Sequence, residues 1–229
     1  MQPLNTLSET SKKPRRNEVL DAARELFFRN GYHGASIQQV ARRAGYSKRT
    51  VYLDYLNKDE LFMSVCSEGG ELLLEKLKQI PLEELAIETA IDRVMKEFLD
   101  FSVKYPEYFR MIFSESTPEI IANCSEELRA RVADLERACL NVLVYWAEQA
   151  MQEGIIPRLD PWEVAGIFVG TATGIILLSM GGSQTVFSRK TLESLVQKAI
   201  WTLWRGLQTP DPSRPAETTG EDHGRRNLA

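Results

Sequence analysis

Apolar residues recur at three- and four-residue intervals from Val19 to Trp204, and no stretch alternates apolar with polar residues for long enough to pair as a sheet. That spacing confines the 229-residue chain to helices packed on helices. Val19, Leu20, Ala23, Leu26 and Phe27 form the inner face of a first helix, which stops at Asn30 and Gly31 because a glycine takes a left-handed turn at little cost. Ser36, with Gln39 three residues on, has the pairing of a capping box and opens a second helix with Ile37, Val40, Ala41 and Ala44 inside. Gly45 breaks that helix and Ser47 N-caps a short third one. Asn57 with Glu60 caps a fourth, which runs to about Gln79 and is ended by Pro81.

The rest of the chain continues in helices. An amphipathic helix is predicted over 83–103, a short one from Tyr105 and Pro106 to about Ser116, and a long one over 120–153, ended by Gly154. Asp160, Pro161 and Glu163 mark another start: an N-cap, a proline at the first helical position and an acid facing the helix dipole. Val164 to Met180 is a run of 17 uncharged residues, at the lower length limit for a membrane span and alone. It reads as a packing helix covered on several sides, without a membrane. Ser188 opens a last helix through Leu192, Val196 and Trp204. From Thr209 the tail holds almost nothing to bury and is expected to be disordered. The fold class is therefore all-α, with about nine helices: a flexible basic arm (1–14), a three-helix helix-turn-helix head (15–60), a helical-bundle body (61–207) and the tail (208–229).

Charge divides the same way. Residues 1–60 carry 11 Lys and Arg against 7 Asp and Glu, while the remainder carries 17 against 25. A basic head on an acidic body suits a protein that meets a phosphate backbone with one end. The histidines are His33 and His223 alone, and Cys66, Cys124 and Cys139 have no metal-ligand spacing. That argues against a metal site, a cofactor and His-based acid–base chemistry. The sparse cysteines read as quiet core thiols in a reducing cytosol, and the polar N-terminus lacks the apolar stretch of a signal peptide, so a cytoplasmic protein is expected.

The segment Ser36 to Tyr52 carries the functional signal. A compact apolar helix is followed by a glycine turn and a short polar helix, with Val51 holding that helix to the head while Lys48, Arg49 and Thr50 face outward. A helix with so little apolar area is poorly explained as core. Here the chain resembles the TetR family of one-component regulators, from Val19 to about Val65, in the blocks Val-Leu-Asp-Ala-Ala-Arg-Glu-Leu-Phe, Asn-Gly-Tyr, the segment 36–52 and Asn-Lys-Asp-Glu-Leu. The body is similar to one TetR-type C-terminal domain only through Tyr-Pro-Glu-Tyr-Phe-Arg-Met-Ile-Phe-Ser-Glu and the helix opened by Asp160 and Pro161.

The resemblance implies DNA contacts at Ser36, Gln38, Ser47, Lys48, Arg49, Thr50 and Tyr52, and a phosphate contact at Lys58. Arg49 stands where many members have a small residue, which suits a bidentate contact to guanine. Asp54 stands where many have His or Tyr. It either reads a cytosine amino group or pairs with Arg49 or Lys58. Lys12, Lys13, Arg15 and Arg16 are either a phosphate-reaching arm or a solubilising terminus. Phe98, Phe109, Phe113 and Trp146 are candidates for a pocket lining, against the commoner role of core aromatics. The implied mechanism is a homodimer, joined by helices near 161–180 and 188–206, that holds two heads on a palindromic double-stranded operator as a repressor and is released by a small-molecule effector. The alternative is a helical interaction protein or an architectural DNA binder without a ligand.

Overall fold

In the computed structural model the described residues are 6–181 and 189–208; the tail beyond Gln208 lies outside them. The first helix, α1 (Thr6–Gly34), begins eight residues before the end of the expected arm, so residues 6–14 continue it. Its regular part ends at Gly31, where φ is 66°. Helix α2 (Ile37–Ala44) starts from the expected capping box: the Ser36 hydroxyl accepts the Gln39 N–H, and the Gln39 side chain accepts the Ser36 N–H at 2.9 Å. Gly45 turns the chain into α3 (Lys48–Val51), which Ser47 caps. Val19, Ala23, Phe27, Val40 and Val51 are buried together under this head.

Helix α4 (Lys58–Lys78) belongs to head and body alike. Asn57 caps it, accepting the Glu60 N–H at 2.8 Å, while the Glu60 carboxylate accepts the Leu56 N–H at 2.7 Å and the Ser125 hydroxyl at 2.6 Å. Near its start Phe62 meets Phe27 edge to face at 5.2 Å, so the head's core ends on α4 and the body's begins there. A boundary between residues 60 and 61 would cut through this helix.

After a 3-10 turn at Leu82–Glu84, α5 (Ile87–Lys104) leads to α6 (Pro106–Arg110) and a π-helical turn, Met111–Glu115. The long helix expected over 120–153 is two, α7 (Pro118–Ala122) and α8 (Glu126–Gln152). The difference has a local cause. Thr117 and Ser125 each present a side-chain oxygen to an N–H three residues on, and two N-caps make two helices. Gly69 on α4 allows α6 to pack close: a Cβ there would stand 2.6 Å from the Tyr108 ring.

Helices α9 (Pro161–Met180) and α10 (Arg189–Gln208) complete the body. Asp160 caps α9 with Pro161 at the first helical position, as the sequence predicts. Within one chain α9 is covered on one face only. Val164, Ala165, Phe168, Ala172 and Ile176 are buried, whereas Gly166, Ile167, Gly170, Gly174 and Leu178 are exposed. With a mean hydropathy of 1.7, α9 is also long and apolar enough to cross a membrane by length and composition. Its inner row is instead seated on the body, where Trp146 of α8 meets Phe168 at 5.1 Å and Trp204 of α10 at 5.5 Å, both edge to face. Trp146 is 1% exposed, so Trp146→Ala is expected to lower the unfolding free energy by about 3–5 kcal/mol, read from chemical denaturation.

Candidate nucleic-acid interface and ligand cavity

The outer surface of the head is built from two capped helix starts. Ser47 accepts the Thr50 N–H at 3.1 Å and lies 2.8 Å from the Thr50 hydroxyl, which fixes the four-residue α3 where propensity alone would not. Val51 anchors it at 0% exposure, so Ser47, Lys48 and Arg49 point to solvent. Gln38 and Lys48 are brought together: with Arg42 and Tyr46 they line a shallow cleft between α2 and α3. Arg42 was not singled out from sequence, although its exposed place in the last turn of α2 puts a cation on this surface. Ser36 is exposed but its hydroxyl is engaged, donating to Gln39 Oε1 at 2.9 Å. Thr50 is half-buried, and Tyr52 caps α3 at 45% exposure with Lys48 Nζ 5.7 Å from its ring centre.

Lys58 stands apart from that cluster. Its ammonium sits 4.1 Å from the centre of the Tyr32 ring, a cation–π contact, and burial lowers its pKa. Tyr32 in turn donates its hydroxyl to Asp59, the next residue of α4, and burial with that bond pushes its pKa up to about 12.

Asp54 takes neither of the expected partners. Arg15 holds it in a two-pronged pair, Nε and one terminal nitrogen each 2.7 Å from a carboxylate oxygen, and the Asp54 side chain is only 6% exposed. The reason is proximity in the fold: α1 runs beside the turn after α3, so the nearest cation comes from α1 and not from α3 or α4. The same pairing takes Arg15 out of the free arm. Arg16 lies over the Tyr55 ring at 5.2 Å, and its carbonyl accepts the Tyr55 hydroxyl at 3.1 Å.

In the body a cavity of about 260 Å³ lies among α4, α5, the π turn and α8. Its wall is apolar, with Met63, Leu73, Leu77, Val94, Met95, Phe98, Ile112, Phe113, Val132, Leu140 and Leu143 prominent. Of the four aromatic candidates, Phe98 and Phe113 line it. Phe109 does not: it is wholly buried behind them, 4.6 Å from Phe113 and 5.4 Å from Phe98. Trp146 does not either, because it is committed to Phe168 and Trp204 in the core between α8, α9 and α10. Two thiols, Cys66 and Cys139, also face the cavity, and burial pushes both pKa values up, that of Cys139 to about 11.

One turn of chain joins this cavity to the head. Ile112 and Phe113 of the π turn line the cavity, while Glu115 of the same turn accepts the Tyr32 N–H at 2.9 Å. Arg110 donates to Glu115 at 2.8 Å and to the Phe28 carbonyl at 3.3 Å, capping the end of α1. A second brace lies alongside: Arg24 of α1 reaches Glu68 of α4 at 3.0 Å, and Glu68 accepts the Tyr108 hydroxyl at 3.0 Å. The arrangement ties a ligand-sized apolar space to the support of the outward polar helix.

A helix-turn-helix head on a helical body with such a cavity has the parts of a one-component regulator. Residues 19–65 match the model of the bacterial regulatory proteins of the tetR family. Over 190 residues the chain is 24% identical to the fatty acid metabolism regulator protein of Bacillus subtilis, covering 81% of this chain and 95% of that one. The fold is shared with the transcriptional regulator FadR from Bacillus subtilis in complex with stearoyl-CoA (TM-score 0.64, 21% identity, covering 82% of this chain and 97% of that chain). It is shared also with AibR in complex with isovaleryl coenzyme A and operator DNA (TM-score 0.60, 22% identity, covering 83% and 98%). The head thus matches the tetR family, and the chain as a whole is similar to transcriptional regulators with that head.

Two outcomes follow from the local chemistry. Asp54→Ala strands Arg15 and is expected to lower the stability of the head by roughly 1.5–3 kcal/mol, measured by thermal or urea unfolding. At pH 8 the raised pKa keeps Cys139 protonated, so iodoacetamide is expected to label it at least about tenfold more slowly than a free cysteine, followed by mass spectrometry.

Proposed function

We propose that the protein is a ligand-responsive repressor that grips a palindromic operator as a homodimer and lets go when a small apolar molecule fills the cavity. The observation that carries this reading is the shared turn: Ile112 and Phe113 face the cavity, and Glu115 of the same turn holds the Tyr32 amide at the end of α1. A change on the cavity side therefore reaches the head through one helical turn and one hydrogen bond. The relatives bound to stearoyl-CoA and isovaleryl coenzyme A support an effector with an apolar part.

In this reading the base edges are met by Gln38, Lys48 and Arg49, with Arg49 on guanine, while Ser36, Ser47, Thr50, Tyr52 and Lys58 position the head on phosphates. The dimer forms through α9 and α10. The exposed row Gly166, Ile167, Gly170, Gly174 and Leu178 gives a second copy an apolar, closely approachable face, since apart from the helix's own adjoining backbone no described atom lies within 4 Å of a Cβ at any of its three glycines. Such a face fits a water-soluble cytoplasmic dimer whose two heads reach successive major grooves. The effector releases DNA only to the extent that it binds the non-operator state more tightly.

Fluorescence anisotropy on an operator selected from random DNA tests the head. Arg49→Ala is expected to cost roughly 1–3 kcal/mol and to relax the sequence preference, and Lys58→Ala to weaken binding evenly and lower the salt slope by about one. Parental behaviour in both variants would contradict the assignment. Glu115→Ala is expected to keep binding an acyl-CoA probe while losing at least about fivefold of that probe's effect on operator affinity. An unchanged effect would show that the coupling runs elsewhere.

A further inference from the structure

Among the described residues the cavity wall carries one carboxylate and no basic side chain. Glu136 of α8 stands on it, exposed to solvent at its outer side, whereas Cys66, Leu73, Phe98 and Leu143 deeper in the wall are buried. The other polar groups are already engaged inside the protein. The Ser67 hydroxyl donates to the Met63 carbonyl at 2.9 Å, and the Ser116 hydroxyl points to the Met63 sulfur at 3.3 Å. Glu136 has no hydrogen bond and no ion pair among the described residues, and burial against the apolar wall raises its pKa with no neighbouring cation acting the other way. Lys78, at the end of α4, is a cation on this side of the body. Its charge reaches Cys139, but it does not line the cavity.

We propose that Glu136 selects the polar end of the effector: its carboxylate accepts a hydrogen bond from an N–H or O–H donor at the cavity mouth and repels an anion there. The inference rests on the reading of this cavity as the effector site. The effector is then an apolar molecule whose chain meets the mouth through a neutral donor, such as an amide or hydroxyl, or through an ammonium group. A free fatty acid is disfavoured, because its carboxylate would face Glu136 with no cation among the lining residues to offset the repulsion. A chain esterified to a larger, amide-bearing carrier is compatible where the carrier's charges stay clear of the mouth and Glu136.

Calorimetric titration of the full-length protein with decylamine and decanoate below their micelle concentrations, and with decanol below its solubility limit, tests this. The wild type is expected to bind the amine and the alcohol at least about tenfold more tightly than the carboxylate. Glu136→Gln should narrow the gap between amine and carboxylate to within about threefold while leaving decanol nearly unchanged, and Glu136→Lys should reverse the order. Leu140→Trp, which fills the cavity, should abolish all three. Equal affinity of the wild type for decanol and decanoate, or a gap unmoved in Glu136→Gln, overturns the role of Glu136 and leaves the cavity reading intact. Failure of all three probes to bind, or binding that survives Leu140→Trp, overturns the cavity reading together with it.

Discussion

The burial of α4 on both of its sides is the constraint on which the rest of the molecule depends. Leu61, Phe62 and Val65, none of them exposed, close the head's core, while Met63, Cys66, Ser67, Leu73 and Leu77 face the cavity. A helix packed in this way does not shift at one end without repacking at the other, because closely packed interiors pass displacement along. The capping interactions at its start serve the same end. Asn57 and Glu60 hold the turn that leads in from α3, and Glu60 extends that hold to Ser125 of α8. The orientation of the short outward helix is thus fixed from the body as much as from the head.

Tyr32 is the point where several of these ties meet. Its ring carries Lys58, its hydroxyl donates to Asp59, its edge packs on Phe62 and its amide is held by Glu115. It follows Gly31, whose φ of 66° makes the end of α1 a turn that glycine tolerates and other residues resist. A single residue therefore links Lys58, the start of α4 and the π turn beside the cavity. π turns interrupt the regular hydrogen-bond ladder of a helix and are common at functional sites, which suits a segment that responds to what lies behind it.

What was legible in the sequence is what local rules decide. The caps at Ser36, Ser47, Asn57 and Asp160 start helices where their side chains satisfy the first amide groups, and the glycines at 31 and 45 end helices by backbone conformation; none of this needs tertiary structure. The break at Ser125 obeys the same rule and was hidden by the apolar period running on either side of it. Pairing across the fold was not legible. Asp54 finds Arg15 through 39 residues of intervening chain, and no spacing rule indicates that. The aromatic candidates for the pocket divided for a similar reason: helical spacing puts Phe98, Phe109, Phe113 and Trp146 inside, but whether a ring faces the empty space or the next helix depends on the packing angle. Glu136 was missed because a charged residue on a long amphipathic helix reads as solvated until the apolar wall beside it is known.

Release of DNA by an effector requires the cavity and the head to be mechanically one. Amide hydrogen exchange at Tyr32, whose N–H donates to Glu115, reports this joint directly, with the cavity empty and with it filled by decanol. The structure predicts that filling the cavity changes exchange at Tyr32 and along the first turns of α4 while the α9 amides of the outer face keep theirs. Unchanged exchange at Tyr32 with the cavity demonstrably occupied would contradict it.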